Sequence, residues 1–240
     1  MGAIAKTKKK SFIARVFRLF LYLLGFSLLY IVICKWVMPP ITITQLGAIA
    51  EGHGLKRDYV SWNEMSPNIK LAAMASEDQL FPDHNGFDWK SIEKSINGKG
   101  KSKRKRARGA GASTISQQVA KNVFLWQGSG LAKYIRKVPE AFYTACIEFV
   151  WGKQRILEVY LNVIEMGPGI FGVEAAAQAY FHKSARNLTK AEAAQIIACL
   201  PNPKRFTVKP SSRWVSRRYP AIMRQMSNLD GDPDIQRLIH

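Results

Sequence analysis

Residues 77–88, Glu-Asp-Gln-Leu-Phe-Pro-Asp-His-Asn-Gly-Phe-Asp, form the densest polar cluster in an otherwise apolar stretch of the chain. The segment before it is rich in Ala and Met and reads as a packed helix, so Glu77 emerges at a helix C-terminus beside buried surface. The helix dipole and desolvation both disfavour a carboxylate there and raise its proton affinity. That suits a general acid or base. A solvated helix end followed by a turn accounts for this segment equally well. A second constellation lies at Thr114, Gln118 and Lys121, spaced i, i+4 and i+7 and therefore on one helix face. A hydroxyl, an amide and an ammonium in one row make a cradle for phosphate or sugar oxygens. The glycines of 109–111 lead into that helix, whose N-terminus favours anions. A third group is Arg136, Lys137 and Glu140. On a continuous helix these form an ordinary ion-pair arrangement. Pro139 argues instead for a helix that starts near it, with the two cations on the approach.

These side chains need elements to hold them, and the sequence predicts mostly helices. Ser66 followed by Pro67 is an N-cap with proline at the first helical position, and the apolar spacing carries that helix into Glu77. Thr114 with Gln117 resembles a capping box that opens a helix to about Phe124. A helical pattern runs from near Glu140 to Trp151, and another over 153–163 puts Ile156, Val159, Tyr160 and Val163 on one face. A further capping box, Thr189 with Glu192, starts a helix that reaches Leu200 and stops at Pro201. Residues 41–62 alternate loosely and read as a connector with a short strand at most. No internal repeat and no series of strands is visible, so the fold expected is mainly α.

The formal net charge is +19, which implies an anionic partner such as nucleic acid, lipid head groups or a phosphorylated substrate. Its placement separates these. Lys6, Lys8, Lys9, Lys10, Arg15 and Arg18 precede an apolar run over 19–34, followed by Lys35 and Trp36, which suit an interface, and then Pro39 and Pro40. No small-residue cleavage pattern precedes the prolines, so a signal anchor is expected rather than a cleaved leader. The organisation predicted is a basic cytoplasmic segment over 1–18, a transmembrane helix over 19–38 and an outward-facing domain over 39–240. That orientation removes most nucleic-acid readings. Cys34, Cys146 and Cys199 are sparse and odd in number; they do not form a disulfide or metal framework, and Cys146 and Cys199 read as small buried hydrophobes.

Several motifs occur in one order: Glu-Asp-x-x-Phe-x-x-His-x-Gly at 77–86, Gly-x-Ser-Thr-Ile-Ser-Gln-Gln-x-x-Lys-Asn at 111–122, and Arg-Lys-x-x-Glu at 136–140. Lys-x-x-Ile-Leu-Glu-x-Tyr-Leu-Asn at 153–162 and Gly-Pro-Gly-Ile-Phe-Gly-Val-Glu-Ala-Ala at 167–176 follow. In this series the chain resembles the peptidoglycan glycosyltransferases. The resemblance covers nearly all of 60–206. The chain ends at His240 without room for a penicillin-binding transpeptidase domain, so the monofunctional branch of that family is the one expected.

The resemblance implies a lysozyme-like, mainly helical domain seated against the bacterial inner membrane, facing the periplasm. The activity it implies is polymerisation of lipid II into β-1,4-linked glycan with release of undecaprenyl diphosphate. Glu77 matches the family's base. Glu140 matches a second glutamate that assists the leaving group, directly or through a divalent cation such as Mg2+. Lys121, Arg136 and Lys137 match positions that neutralise the diphosphate, with Thr114, Gln118 and Asn122 alongside. Asp78, Phe81 and His84 complete the first motif, positioning Glu77 and the loop around it. Ser116 and Gln117 are expected in helix packing or on the surface. Glu158 and Asn162 are expected to brace the turn over 167–172, with Glu174 similar. The partners implied are lipid II, the growing glycan, membrane lipids and other cell-wall synthesis proteins, with no nucleic acid. The basic run Lys99, Lys101, Lys103, Arg104, Lys105, Arg106 and Arg108 departs from the family pattern; beside a bilayer it would hold anionic lipid or gather diphosphate-bearing substrate. Two other readings stay open. A lytic transglycosylase or muramidase shares the fold and a catalytic glutamate, but a neutral polysaccharide needs no cationic diphosphate site. A non-catalytic scaffold binding lipid II through its basic loop would need no base.

Overall fold

The computed structural model describes residues 2–89, 93, 113–126 and 130–240. The basic run over 99–108 and the glycines of 109–111 lie outside the described residues. The chain divides into two compact units, Met1–Met38 and Pro39–His240. The first is a helix, α1 (Gly2–Cys34), whose stretch Ile13–Cys34 is long and apolar enough to cross a membrane. The apolar stretch starts before residue 19, and the helix stops before residue 38. Lys35 and Val37 donate back to the carbonyls of Val32 and Ile33 at 3.2 and 3.0 Å as a closing turn. Two prolines follow, and they cannot continue a helix.

The second unit is mainly helical, as expected. Residues 41–62 depart from the predicted connector: they contain a helix, α2 (Ile43–Ala50), closed by a complete capping box between Thr42 and Gln45. The box was present in the sequence, but Gly47 and the β-branched Ile43 and Thr44 weakened the helical signal. The short strand is also there, β1 (Lys56–Arg57). It pairs parallel with β3 (Ile170–Phe171), which pairs antiparallel with β2 (Glu165–Gly167), giving the order β1-β3-β2.

Helix α3 (Pro67–Glu77) is capped by Ser66, and its residues from Ile69 through Ala75 are all buried. A helix buried on every side is a core helix. Its small Ala72, Ala73 and Ala75 admit close neighbours, and α9 (Lys190–Ala198), α10 (Arg213–Leu229) and α11 (Pro233–Ile239) pack on it. A second group surrounds α4 (Ile115–Phe124): α2, α6 (Lys137–Val150) and α7 (Lys153–Val163). The short α5 (Leu131–Ile135) leads into α6, and α8 (Val173–Phe181) follows the strands. The site forms where the C-terminus of α3 meets the N-terminal half of α4. Cys199 is buried as expected, while Cys146 is only half-buried.

Candidate active site

Glu77 is the last residue of α3, and its carboxylate lies largely out of water. One oxygen accepts from Ser76 Oγ at 2.9 Å, and the other from Gln118 Nε2 at 3.2 Å. Arg218, on α10, places Nη2 at 3.9 Å from the first oxygen and donates to Ser76 Oγ at 3.0 Å. Burial raises the Glu77 proton affinity above the usual carboxylate range, and the negative Asp78 adds to this. The two hydrogen bonds and Arg218 pull it back without cancelling the shift. The result is a carboxyl poised to exchange a proton, held by three different elements. Gln118 is itself oriented: the fully buried Tyr160 on α7 donates from its hydroxyl to Gln118 Oε1 at 3.4 Å. Burial holds the phenol protonated, so its O–H can donate to the amide oxygen while the amide N–H is directed at Glu77.

The rest of the first motif ties the loop after Glu77 to the start of α4. Asp78 accepts from the backbone N–H of Ile115 at 2.9 Å and pairs with His84 Nε2 at 2.9 Å. A carboxylate on the first-turn N–H groups of a helix meets orphan donors and the positive dipole end. His84 Nδ1 accepts from Gly86 N at 3.1 Å. Thr114 donates to the Gly86 carbonyl at 2.7 Å while capping α4 through a complete capping box with Gln117. Gly86 has φ +85°, and a Cβ there would meet Thr144 Cγ2 at 2.6 Å, so only glycine fits. Phe81 is fully buried, with the Lys153 ammonium 4.5 Å from its ring centre; that ammonium also reaches the His84 carbonyl and Glu148. Asp78, Phe81, His84 and Thr114 therefore turn to protein partners. The row expected to cradle substrate begins at Gln118, because the Thr114 hydroxyl is engaged as a cap and a loop tie.

The third group is a charge cluster. Helix α6 begins at Lys137, before Pro139, and Arg136 is a helical residue joining it to α5. The proline lies in the first turn, where its missing N–H costs nothing, so the expected helix start at Pro139 moves earlier. Glu140 is buried between two cations: Lys137 Nζ contacts one oxygen, and Arg136 Nε lies 3.4 Å from the other. Arg136 also donates to the Trp126 carbonyl at 2.8 Å. Lys121 lies within the field of both cations and of Glu140 and Glu77; burial first, then Arg136 and Lys137, push its ammonium below the usual lysine range. Gln118, Lys121 and the buried Asn122 line a cleft of about 500 Å³ whose other walls come from α2, residues 164–165 and residues 200–204. Among the described residues no group of three or more His, Cys, Asp or Glu could hold a metal. Glu140 offers a single carboxylate, already flanked by two cations.

Glu158 and Asn162 brace a segment, though not the one expected. Asn162 exchanges hydrogen bonds with both backbone groups of Val60 at 3.0 and 2.9 Å, and Glu158 accepts from Trp62 N at 2.8 Å. They fix residues 60–62 rather than the turn over 167–172. Glu174 accepts from Ala185 N at 2.7 Å and Gln178 Nε2 at 2.9 Å. Ser116 is fully buried and donates to Glu148, and Gln117 closes its capping box, so both serve packing. Sequence reasoning missed Arg218 and the roles of Ser76 and Tyr160. Helix α10 carries buried Val215, Ile222 and Met226 at helical spacing, a readable signal for the helix. That spacing also places Arg218, three residues after Val215 and four before Ile222, on the inward stripe, though not beside Glu77.

A sequence model described as transglycosylase matches residues 43–227. The chain is 53% identical over 180 residues to the biosynthetic peptidoglycan transglycosylase of Escherichia coli (strain K12 / DH10B), covering 75% of this chain and 72% of that protein. The protein of the same description from Shigella boydii serotype 4 is likewise 53% identical over 180 residues, with the same coverage. The match spans the elements that bring Glu77, Gln118, Lys121, Glu140 and Arg218 together, and the chain belongs to the transglycosylase family and is a glycosyltransferase enzyme.

Proposed function

We propose that the chain polymerises lipid II into β-1,4-linked peptidoglycan strands by an inverting displacement. Glu77 takes the proton of the acceptor 4-hydroxyl as that oxygen bonds to the anomeric carbon of the donor. The bond from that carbon to the diphosphate breaks, and its electron pair leaves with undecaprenyl diphosphate. Lys121, Arg136 and Lys137 meet the charge that develops on the leaving group. Glu140 holds Arg136 and Lys137 in place and touches no reacting atom in this scheme. The observation that carries the reading is the pairing of a buried carboxyl of raised proton affinity with a cationic cluster reached through one helix, α4. No step of this scheme is routed through a divalent cation.

A membrane setting supports the same reading, because the donor carries a polyprenyl chain. The stretch Ile13–Cys34 of α1 can span a bilayer, and the lysines before that stretch favour a cytoplasmic N-terminus with the enzyme unit outside. Val138, Phe142 and Phe149 form an exposed apolar stripe on α6, continued by Tyr134 and Ile135, which suits contact with lipid. The test is the detergent-solubilised full chain with labelled lipid II and, separately, with finished glycan. Chain growth on the first and no cutting of the second is expected. Glu77→Gln should abolish growth while lipid II binding persists. Full activity in that variant, or glycan cleavage by the wild type, overturns the assignment.

A further inference from the structure

The cleft beside Glu77 has a second charged part that the mechanism above does not use. Its walls include Glu165 on β2, Glu51 just after α2, and Lys204. The electrostatic neighbours of Glu165 are Lys204, Glu51 and His53. Those of Lys121 are Arg136, Lys137, Glu140 and Glu77, so the two sets share no member. Lys204 is paired with Glu51, and His53 Nε2 lies 3.6 Å from the same carboxylate. Glu165 is half-buried, and its one hydrogen bond among the described residues comes from Gly169 N at 3.4 Å, near the limit of a real bond. Gly169 sits at φ +67° against the backbone carbonyl of His53, so the turn is held by main-chain packing rather than by this side chain. Burial pushes the Glu165 carboxyl up, and nearby Lys204 only partly offsets that.

A carboxylate so placed repels a diphosphate and needs neutral O–H or N–H donors. We propose that Glu165 anchors a neutral sugar unit of the acceptor in this part of the cleft, accepting hydrogen bonds from its hydroxyl or acetamido N–H groups. The cleft then presents Lys121 to the diphosphate and, apart from it, the Glu165 carboxylate to the sugar. The substrate can enter in only one sense. This assignment rests on the reading of the cleft as a glycan-polymerising site.

The test uses the detergent-solubilised full chain and two separate probes, the neutral acetamido disaccharide N,N′-diacetylchitobiose and inorganic diphosphate, with binding followed by calorimetry or ligand-observed NMR. Glu165→Leu should weaken the disaccharide roughly tenfold or more while leaving diphosphate within about twofold, and Glu165→Gln, which keeps one acceptor oxygen, should fall between. Lys121→Ala should do the reverse. If Glu165 only braces its turn, both Glu165 variants lose thermal stability and keep the disaccharide, which overturns the proposal. No saturable disaccharide binding by the wild type, or equal loss of both probes in Glu165→Leu, overturns it too. Failure of the parent reading is seen elsewhere, as no growth of lipid II by the wild type, and leaves these two binding constants to be read on their own.

Discussion

Glu77 and Glu140 are both glutamates near helix ends and both lie largely out of water, yet the fold treats them in opposite ways. Glu140 is clamped between Arg136 and Lys137 in the first turn of its helix, where dipole and cations both favour the charge. Glu77 ends its helix, where the dipole opposes the charge, with two hydrogen bonds and an arginine at 3.9 Å as partial compensation. One site holds its carboxylate still between two cations. The other is built to let it trade a proton. The difference lies in the partners, not in depth.

Four measurements would break or sharpen that contrast. Glu77→Gln should cost roughly 10²–10⁴-fold in glycan polymerisation with an unchanged fold, read as lipid II turnover beside circular dichroism. Glu140→Ala should act on stability first: it leaves the buried Arg136 without its carboxylate and should cost about 3–5 kcal/mol, read by denaturant unfolding. A Glu140 variant as stable as wild type but inactive would move Glu140 into the chemistry and erase the distinction.

Gln118→Leu should push the acid limb of the pH–rate profile to higher pH, because it removes a donor to ionised Glu77. Tyr160→Phe should shift the limb the same way by less, since it frees the Gln118 amide to turn without removing it. Asp78, Arg218 and Lys121 also face Glu77 and are unchanged in both variants. A limb that does not move would separate the amide from the base.

The smallest effect is on stability against pH. The Glu77 pKa is raised on folding, so the folded state holds this proton more tightly than the unfolded chain. Stability is therefore lost as pH rises from the unfolded value of 4.5 through the folded one, and the penalty stays at neutral pH. Glu77→Gln removes it. The variant should be slightly more stable than wild type at pH 7, with the difference shrinking as pH falls toward 4.5, read by thermal melts. A gap that widens on acidification would mean that folding stabilises Glu77 as a carboxylate.

Much of this was legible in the residues. Ser66 with Pro67, Thr114 with Gln117 and Thr189 with Glu192 each mark a helix start that the structure contains, because caps are local and act within one turn. The i, i+4 spacing that puts Gln118 one turn beyond Thr114 is equally local. Helix α2 was missed although its capping box was present, since a weak helical run needs tertiary packing to become stable. The alignment of Asp78 with the N-terminus of α4 and of Asn162 with Val60 could not be read, because those partners lie far apart in sequence.

By itself, then, the sequence determined the capped and strongly periodic helices, an apolar span and the set of polar groups available, all of which follow from short-range periodicity and capping. Only the tertiary structure decided which of those groups are braces and which face the cleft. Thr114 became a cap, Glu140 an ion-pair partner, and Arg218 a neighbour of Glu77 from the other end of the chain. The physical reason is that a side chain's proton affinity and freedom depend on burial and on partners brought in by packing. Neither is encoded within reach of the residue itself.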